Sequence, residues 1–173
     1  SDGTMKVNVQ GAENLLHCAQ SEVPDARFFF ASSGQVFGDA VESPQKESTL
    51  FNPVSPYGVS KAEATAIVRK AREEGLFAVN GFLYNHESPR RGANFVTQKI
   101  CLGAAAISVG KEKELKLGDT SMERDWTDAR DMVRGMWLSL QVDQPHDYIF
   151  ASGQTHTVQE IVEIAFEAVG LNW

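Results

Sequence analysis

Glycine is present in this chain but never closely paired. Its 173 residues include 14 glycines, and the nearest two are Gly34 and Gly38. Neither G-x-G-x-x-G nor G-x-x-G-x-x-G can be written anywhere, so the glycine-rich turn that seats a phosphate on a helix N-terminus has no counterpart here. Cysteine is scarce. Cys18 and Cys101 lie far apart in helical patterns, which argues against a disulfide framework or a metal site and reads as two buried thiols. No apolar run approaches the length of a membrane span and no secretory signal opens the sequence. There is no basic stripe, and the formal net charge of −7 argues against nucleic acid as a partner. With 42% hydrophobic and 23% charged residues, the chain has the composition of a folded, cytoplasmic, non-membrane protein about one domain long.

What is present is regular alternation. The patterns predict helices over 5–20, 56–74, 95–109, 129–142 and from 158, with strands at 27–32, 77–84, 115–118 and 147–151. Thr157-Val158-Gln159-Glu160 reads as a capping box for the last helix. Strands alternating with helices imply an α/β fold with a largely parallel sheet. Residues 39–53, with two prolines and mixed charge, read as a surface loop, and 110–114 as a charged turn.

The most informative stretch is Ser55-Pro56-Tyr57-Gly58-Val59-Ser60-Lys61. Serine suits an N-cap and proline the first helical position, so a helix starts here. Tyr57 and Lys61 then share one helix face at i and i+4. A free phenol is a poor base at neutral pH. A neighbouring ammonium and the positive end of a helix both favour its anion, and the pair then suits taking a proton from an alcohol. Y-x-x-x-K alone recurs by chance on amphipathic helices, but its surroundings add weight. Arg27-Phe28-Phe29-Phe30-Ala31-Ser32-Ser33-Gly34 breaks from an apolar run into small hydroxyl residues. Phe77 to Tyr84 is a second apolar run, leading into Asn85-His86-Glu87-Ser88-Pro89-Arg90-Arg91-Gly92. Ligands gather at the carboxyl ends of parallel strands, where these polar groups would lie.

Ser33, Tyr57 and Lys61 in this order resemble the extended short-chain dehydrogenase/reductases. The string from Asn85 to Gly92, then Asn94-Phe95-Val96-Thr97-Gln98-Lys99-Ile100, the segment Glu47–Tyr57 and Arg124-Asp125-Trp126 are similar to the GDP-mannose 4,6-dehydratase family. The resemblance runs over nearly the whole chain. It implies a partial Rossmann-like, doubly wound parallel sheet with helices on both faces, plus part of a small substrate-binding region. On that reading the chain is a single partial domain. Residues 1–85 would be the C-terminal part of the dinucleotide-binding fold, and 86–173 substrate-binding elements mixed with the last strands and helices. Because residues 5–16 resemble an internal helix of the family, an internal piece of a longer enzyme is expected, with a naturally shortened relative as the alternative.

The resemblance also implies roles. Ser33, Gln35, Tyr57 and Lys61 would be catalytic. NADP would be held by Tyr57, Lys61, His86 and Arg91, and a GDP-sugar by Asn85, Lys99 and Arg124. Each has a plainer alternative: His86 as a strand-end histidine, Arg90 and Arg91 as surface charge, Lys99 as an ordinary helix residue, and Arg124 paired with Asp125 or Asp128. His17, His146 and His156 read as structural or exposed. The implied reaction is NADP-dependent dehydration of GDP-mannose to GDP-4-keto-6-deoxymannose through transient oxidation at C4. The family places threonine where Ser33 stands, which keeps the hydroxyl, and glutamate where Gln35 stands. An amide cannot accept a proton near neutral pH, and a missing general acid/base costs roughly two to four orders of magnitude in rate. A 4-keto nucleotide-sugar reductase or epimerase, or an inert fragment, therefore stays open beside the dehydratase. The family's packing also implies a homodimer or homotetramer, with Val59, Ala62, Ala66 and Ile67 as a small-residue contact face.

Overall fold

A computed structural model describes residues 2–173. The elements in chain order are α1 (Asp2–Met5), a π-helical turn (Lys6–Gln10), α2 (Gly11–Glu22), β1 (Phe28–Ser33), a 3-10 turn (Gly34–Val36), α3 (Pro56–Glu73), β2 (Ala78–Leu83), β3 (Asn85–Glu87), α4 (Val96–Ser108), β4 (Glu123–Arg124), β5 (Trp126–Asp128), α5 (Ala129–Ser139), β6 (Asp147–Phe150), β7 (His156–Thr157) and α6 (Val158–Glu167). The chain forms two compact units. Of the described residues, those up to 84 together with 130–150 make the first, and residues 85–129 and 151–173 the second.

The first unit is built on a parallel sheet in the order β1-β2-β6. Alternation along β1 sends Phe28 and Phe30 into a core with Leu16 and Ala19 of α2, Val68 and Ala71 of α3, and Ala78 of β2. Phe29, on the other face, meets Phe150 edge-on at 5.8 Å, and Gly135 of α5 lies against the Phe150 ring. Helices therefore cover both faces, as a doubly wound α/β fold requires. The loop after the 3-10 turn is pinned as well as exposed. Phe51 joins Phe37 and Phe82 in a three-ring cluster with centroids 5.3–5.7 Å apart, and the Glu47 carboxylate accepts the Ile149 N–H at 2.9 Å.

Under α3, Asp147 at the start of β6 gathers Arg69 at 2.7 Å, Arg72 at 2.9 Å and the Asn80 amide at 2.9 Å. Burial is the largest influence and acts to raise the Asp147 pKa. The hydrogen bonds from Asn80, Arg69 and Arg72 outweigh it, so the carboxyl stays below its ordinary value. A depressed carboxylate contributes stability above the unfolded value near 3.8 and loses it as pH falls through the folded value. Asp147→Asn is expected to cost about 2 kcal/mol at neutral pH and to flatten the stability decline below about pH 4. Chemical denaturation from pH 3 to 7 checks this, and parallel wild-type and variant curves would contradict it.

In the second unit α4 and α6 pack through Ile100, Ala104, Val158, Val162 and Phe166, and β3 runs parallel to β5. Thr157 caps α6 through the expected reciprocal box with Glu160. Two expectations need correction. Residues 115–118 form no strand: Leu115 and Leu117 pack against the α4/α6 core, and the Lys116 carbonyl is taken by Lys99 at 2.7 Å. Cys18 and Cys101 are exposed, because α2 packs through Ala12, Leu16 and Ala19 and α4 through Ile100 and Ala104. The remaining histidines His17, His146 and His156 are exposed. Among the described residues no helix is long and apolar enough to cross a membrane, and no group of His, Cys, Asp or Glu is placed to hold a metal.

Candidate functional site

The first unit brings four expected residues to the junction of β1 and α3. β1 ends at Ser33, whose side chain accepts the Gln35 N–H at 3.2 Å and caps the 3-10 turn. That bond uses an acceptor site on Ser33 Oγ, so its proton remains available to a ligand oxygen. Ser55 caps α3 by accepting the Gly58 N–H at 3.0 Å, and Pro56 occupies the first turn. The Ser55 hydroxyl donates to Gln35 Oε1 at 3.2 Å, which holds the Gln35 amide beside the helix start. Gly58 permits this approach: a Cβ there would stand 2.6 Å from the Gln35 carbonyl oxygen.

Tyr57, on the first turn of α3, is 41% exposed. One turn later Lys61 reaches back to β1 and donates to the Ala31 carbonyl at 2.9 Å. Its ammonium lies 4.9 Å from the Phe30 ring centroid and 5.7 Å from that of Tyr57. Burial lowers the Lys61 pKa from its ordinary 10.5, since a charged amine loses solvation beneath the phenyl ring. The site thus offers an accessible phenol, a partly desolvated ammonium and a serine hydroxyl, a set suited to moving the proton of an alcohol.

The second unit carries the other expected residues. Asn85, His86 and Glu87 pair in register with Trp126, Thr127 and Asp128, and the Asn85 carbonyl accepts from Thr127 at 3.3 Å. Glu87, absent from the expected set, organises the following turn: it accepts from Thr97 at 2.8 Å and pairs with Arg91 at 3.2 Å. Arg91 also stacks on Phe95, 3.6 Å from the ring centroid, so its guanidinium is folded onto its own loop, whereas Arg90 is exposed. Lys99 is bound to the Lys116 carbonyl. Arg124 donates to the Glu123 carbonyl at 2.6 Å, and the expected partner Asp125 instead accepts the N–H groups of Ser152 and Gly153 at 3.0 and 2.8 Å. A cavity of about 530 Å³ lies among Glu87, Thr97, Cys101 and Asp128.

Sequence reasoning also missed a support behind Tyr57. In the π-helical turn, Asn8 donates to Ser60 Oγ at 2.9 Å, and buried Ser60 donates to the Tyr57 carbonyl at 2.8 Å. Nothing local marks Asn8, because its partner lies far along the chain.

The family model described as GDP-mannose 4,6 dehydratase matches residues 1–173. This chain belongs to the GDP-mannose 4,6 dehydratase family. It is 48% identical over 170 residues to GDP-mannose 4,6 dehydratase of Homo sapiens, covering 96% of this chain and 46% of that protein. It is 51% identical over 146 residues to GDP-mannose 4,6-dehydratase of Sinorhizobium fredii (strain HH103), covering 84% and 42%. Among solved structures, RMD from Pseudomonas aeruginosa complexed with NADPH is similar at a TM-score of 0.90 and 25% identity, over 97% of this chain and 58% of that one. The chain thus spans about half the length of the curated relatives it matches.

Proposed function

We propose that this chain supplies the catalytic junction and part of the sugar-nucleotide site of an NADP-dependent GDP-mannose 4,6-dehydratase. The observation that carries the reading is the β1–α3 junction, where Lys61 is tied to the Ala31 carbonyl one turn from an accessible Tyr57. The family's named relatives support the substrate, and the NADPH bound to the Pseudomonas aeruginosa protein supports the cofactor.

Tyr57 takes the proton of the sugar's 4-hydroxyl, and Ser33 hydrogen-bonds the same oxygen. The nicotinamide's contribution, when bound, is to take up hydride from C4 and return it at C6. The resulting 4-ketone acidifies the C5 proton. Its removal, with protonation of the 6-hydroxyl so that water departs, needs an acid/base group at the place of Gln35, whose amide cannot take the proton. Tyr57 then returns its proton at C5. Tyr57 and Lys61 fit the nicotinamide-ribose end of the cofactor, with His86 and Arg91 as further holders. The glycine-rich cradle for the pyrophosphate is not among these 173 residues. Asn85, Lys99 and Arg124 remain the proposed sugar-nucleotide contacts, and Arg91 and Lys99 would exchange their present partners for a ligand. A reductase or epimerase acting at C4 is the second reading, and Gln35 favours it because its amide accepts a hydrogen bond from Ser55 but no proton. Incubation of the complete gene product with GDP-mannose and NADP tests between them: loss of one water from the sugar supports dehydration, and a change at C4 alone supports the alternative.

A homodimer or homotetramer is proposed with it. Ala62 and Ile67 pack toward the first unit's core, leaving Val59 and Ala66 on the outer face of α3, and Leu15 of α2 is 63% exposed. Light scattering is expected to give at least a dimer, and a strict monomer at high micromolar concentration would contradict it.

A further inference from the structure

We propose that Ser32 and Thr65 form a positioning pair that sets Lys61 against the end of β1. This rests on the reading in which Tyr57 and Lys61 carry oxidation at C4. Both hydroxyls are buried, Ser32 being 3% and Thr65 0% exposed, and they lie 2.8 Å apart. Thr65 also donates to the Lys61 carbonyl at 2.8 Å. A hydroxyl has one proton. Thr65 spends its own on Lys61, so Ser32 is the donor to Thr65, and the direction of the chain is fixed from Ser32 through Thr65 to the Lys61 carbonyl.

Lys61 is therefore held at two points by consecutive residues of one strand. Its ammonium is bound by the Ala31 carbonyl at 2.9 Å, and its backbone is reached from Ser32 through Thr65. The next residue of that strand is Ser33. A helical threonine bonded to its i−4 carbonyl is common and carries no meaning alone. The second bond, from a buried strand serine beside the site, ties helix to strand here. A hydroxyl left unpaired in this core is costly, so the pair also defines a single register of α3 on β1. Because reacting groups misplaced by about 1 Å lose roughly a hundredfold in rate, this pair should be felt in turnover more than in substrate binding.

The test uses the complete gene product carrying Gln35→Glu, with Thr65→Val, Thr65→Ser, Ser32→Ala and Tyr57→Phe added to it, reading 4-keto-6-deoxy product formed from GDP-mannose. Thr65→Val should lower kcat about ten- to a hundredfold with KM within about threefold, and shift the pH profile of kcat. Its crystal structure should show Lys61 Nζ beyond hydrogen-bonding reach of the Ala31 carbonyl. Thr65→Ser should restore both, and adding Ser32→Ala to Thr65→Val should cost nothing further. Unchanged kcat and pH profile in Thr65→Val, or equal damage in Thr65→Ser, overturns the proposal. Should Thr65→Val fail to fold, Ser32→Ala decides, since it leaves Thr65 bonded to Lys61: a lowered kcat with a shifted pH profile supports the pair, and wild-type values overturn it. Full activity in Tyr57→Phe would overturn the functional reading instead. In that case the Lys61–Ala31 separation decides the pair, a displaced ammonium supporting it and an unmoved one overturning it.

Discussion

Gln35→Glu is expected to raise 4,6-dehydration of GDP-mannose by about a hundredfold or more in the complete gene product, with little change in KM. The side chain at this position lies at the start of α3, where Ser55 donates to Gln35 Oε1 at 3.2 Å. A carboxylate introduced there would keep that hydrogen bond and gain from the positive end of the helix. The exchange therefore fits the existing geometry while replacing an amide, which cannot take a proton, by a group that can. Under the proposed mechanism only proton transfer at C5 and C6 should improve, and oxidation at C4 should be unaffected. Product formation by mass spectrometry, wild type against variant, checks this. Equal dehydration rates would mean that another residue already supplies the base.

Tyr57→Phe is expected to reduce turnover by about a thousandfold or more with Gln35 or with glutamate at position 35. The change removes one oxygen from a side chain that is 41% exposed, so the fold should tolerate it well. Thermal denaturation within a few degrees of wild type, together with lost formation of the 4-keto-6-deoxy product, is the expected pair of results. Retained product formation would show that the alcohol proton leaves by another route.

Local chemistry was the legible part. Ser55 and Pro56 announce the start of α3, the Thr157 box announces α6, and the apolar runs announce the strands β1 and β2, of which β2 is buried and β1 half-buried. The pairing of Tyr57 with Lys61 follows from helical spacing alone. Long-range partners were not legible. Nothing near Ser32 in sequence marks Thr65 as its partner, and nothing near Asn8 marks Ser60. Leu115 and Leu117 look like strand residues until the α4/α6 core is seen to receive them. Cys18 and Cys101 look buried by residue type, but the packing stripe of each helix runs beside them. At Arg91, sequence supplies the charge, and only the fold shows Glu87 and Phe95 holding it.

The central claim is that the Tyr57–Lys61 junction oxidises C4 transiently during dehydration of GDP-mannose. Its most direct test follows deuterium placed at C4 of GDP-mannose through turnover by the complete gene product carrying Gln35→Glu. The account predicts a 4-keto-6-deoxy product with the label at C6, and no product when Tyr57→Phe is added. Label retained at C4, or loss of water that survives Tyr57→Phe, would contradict it.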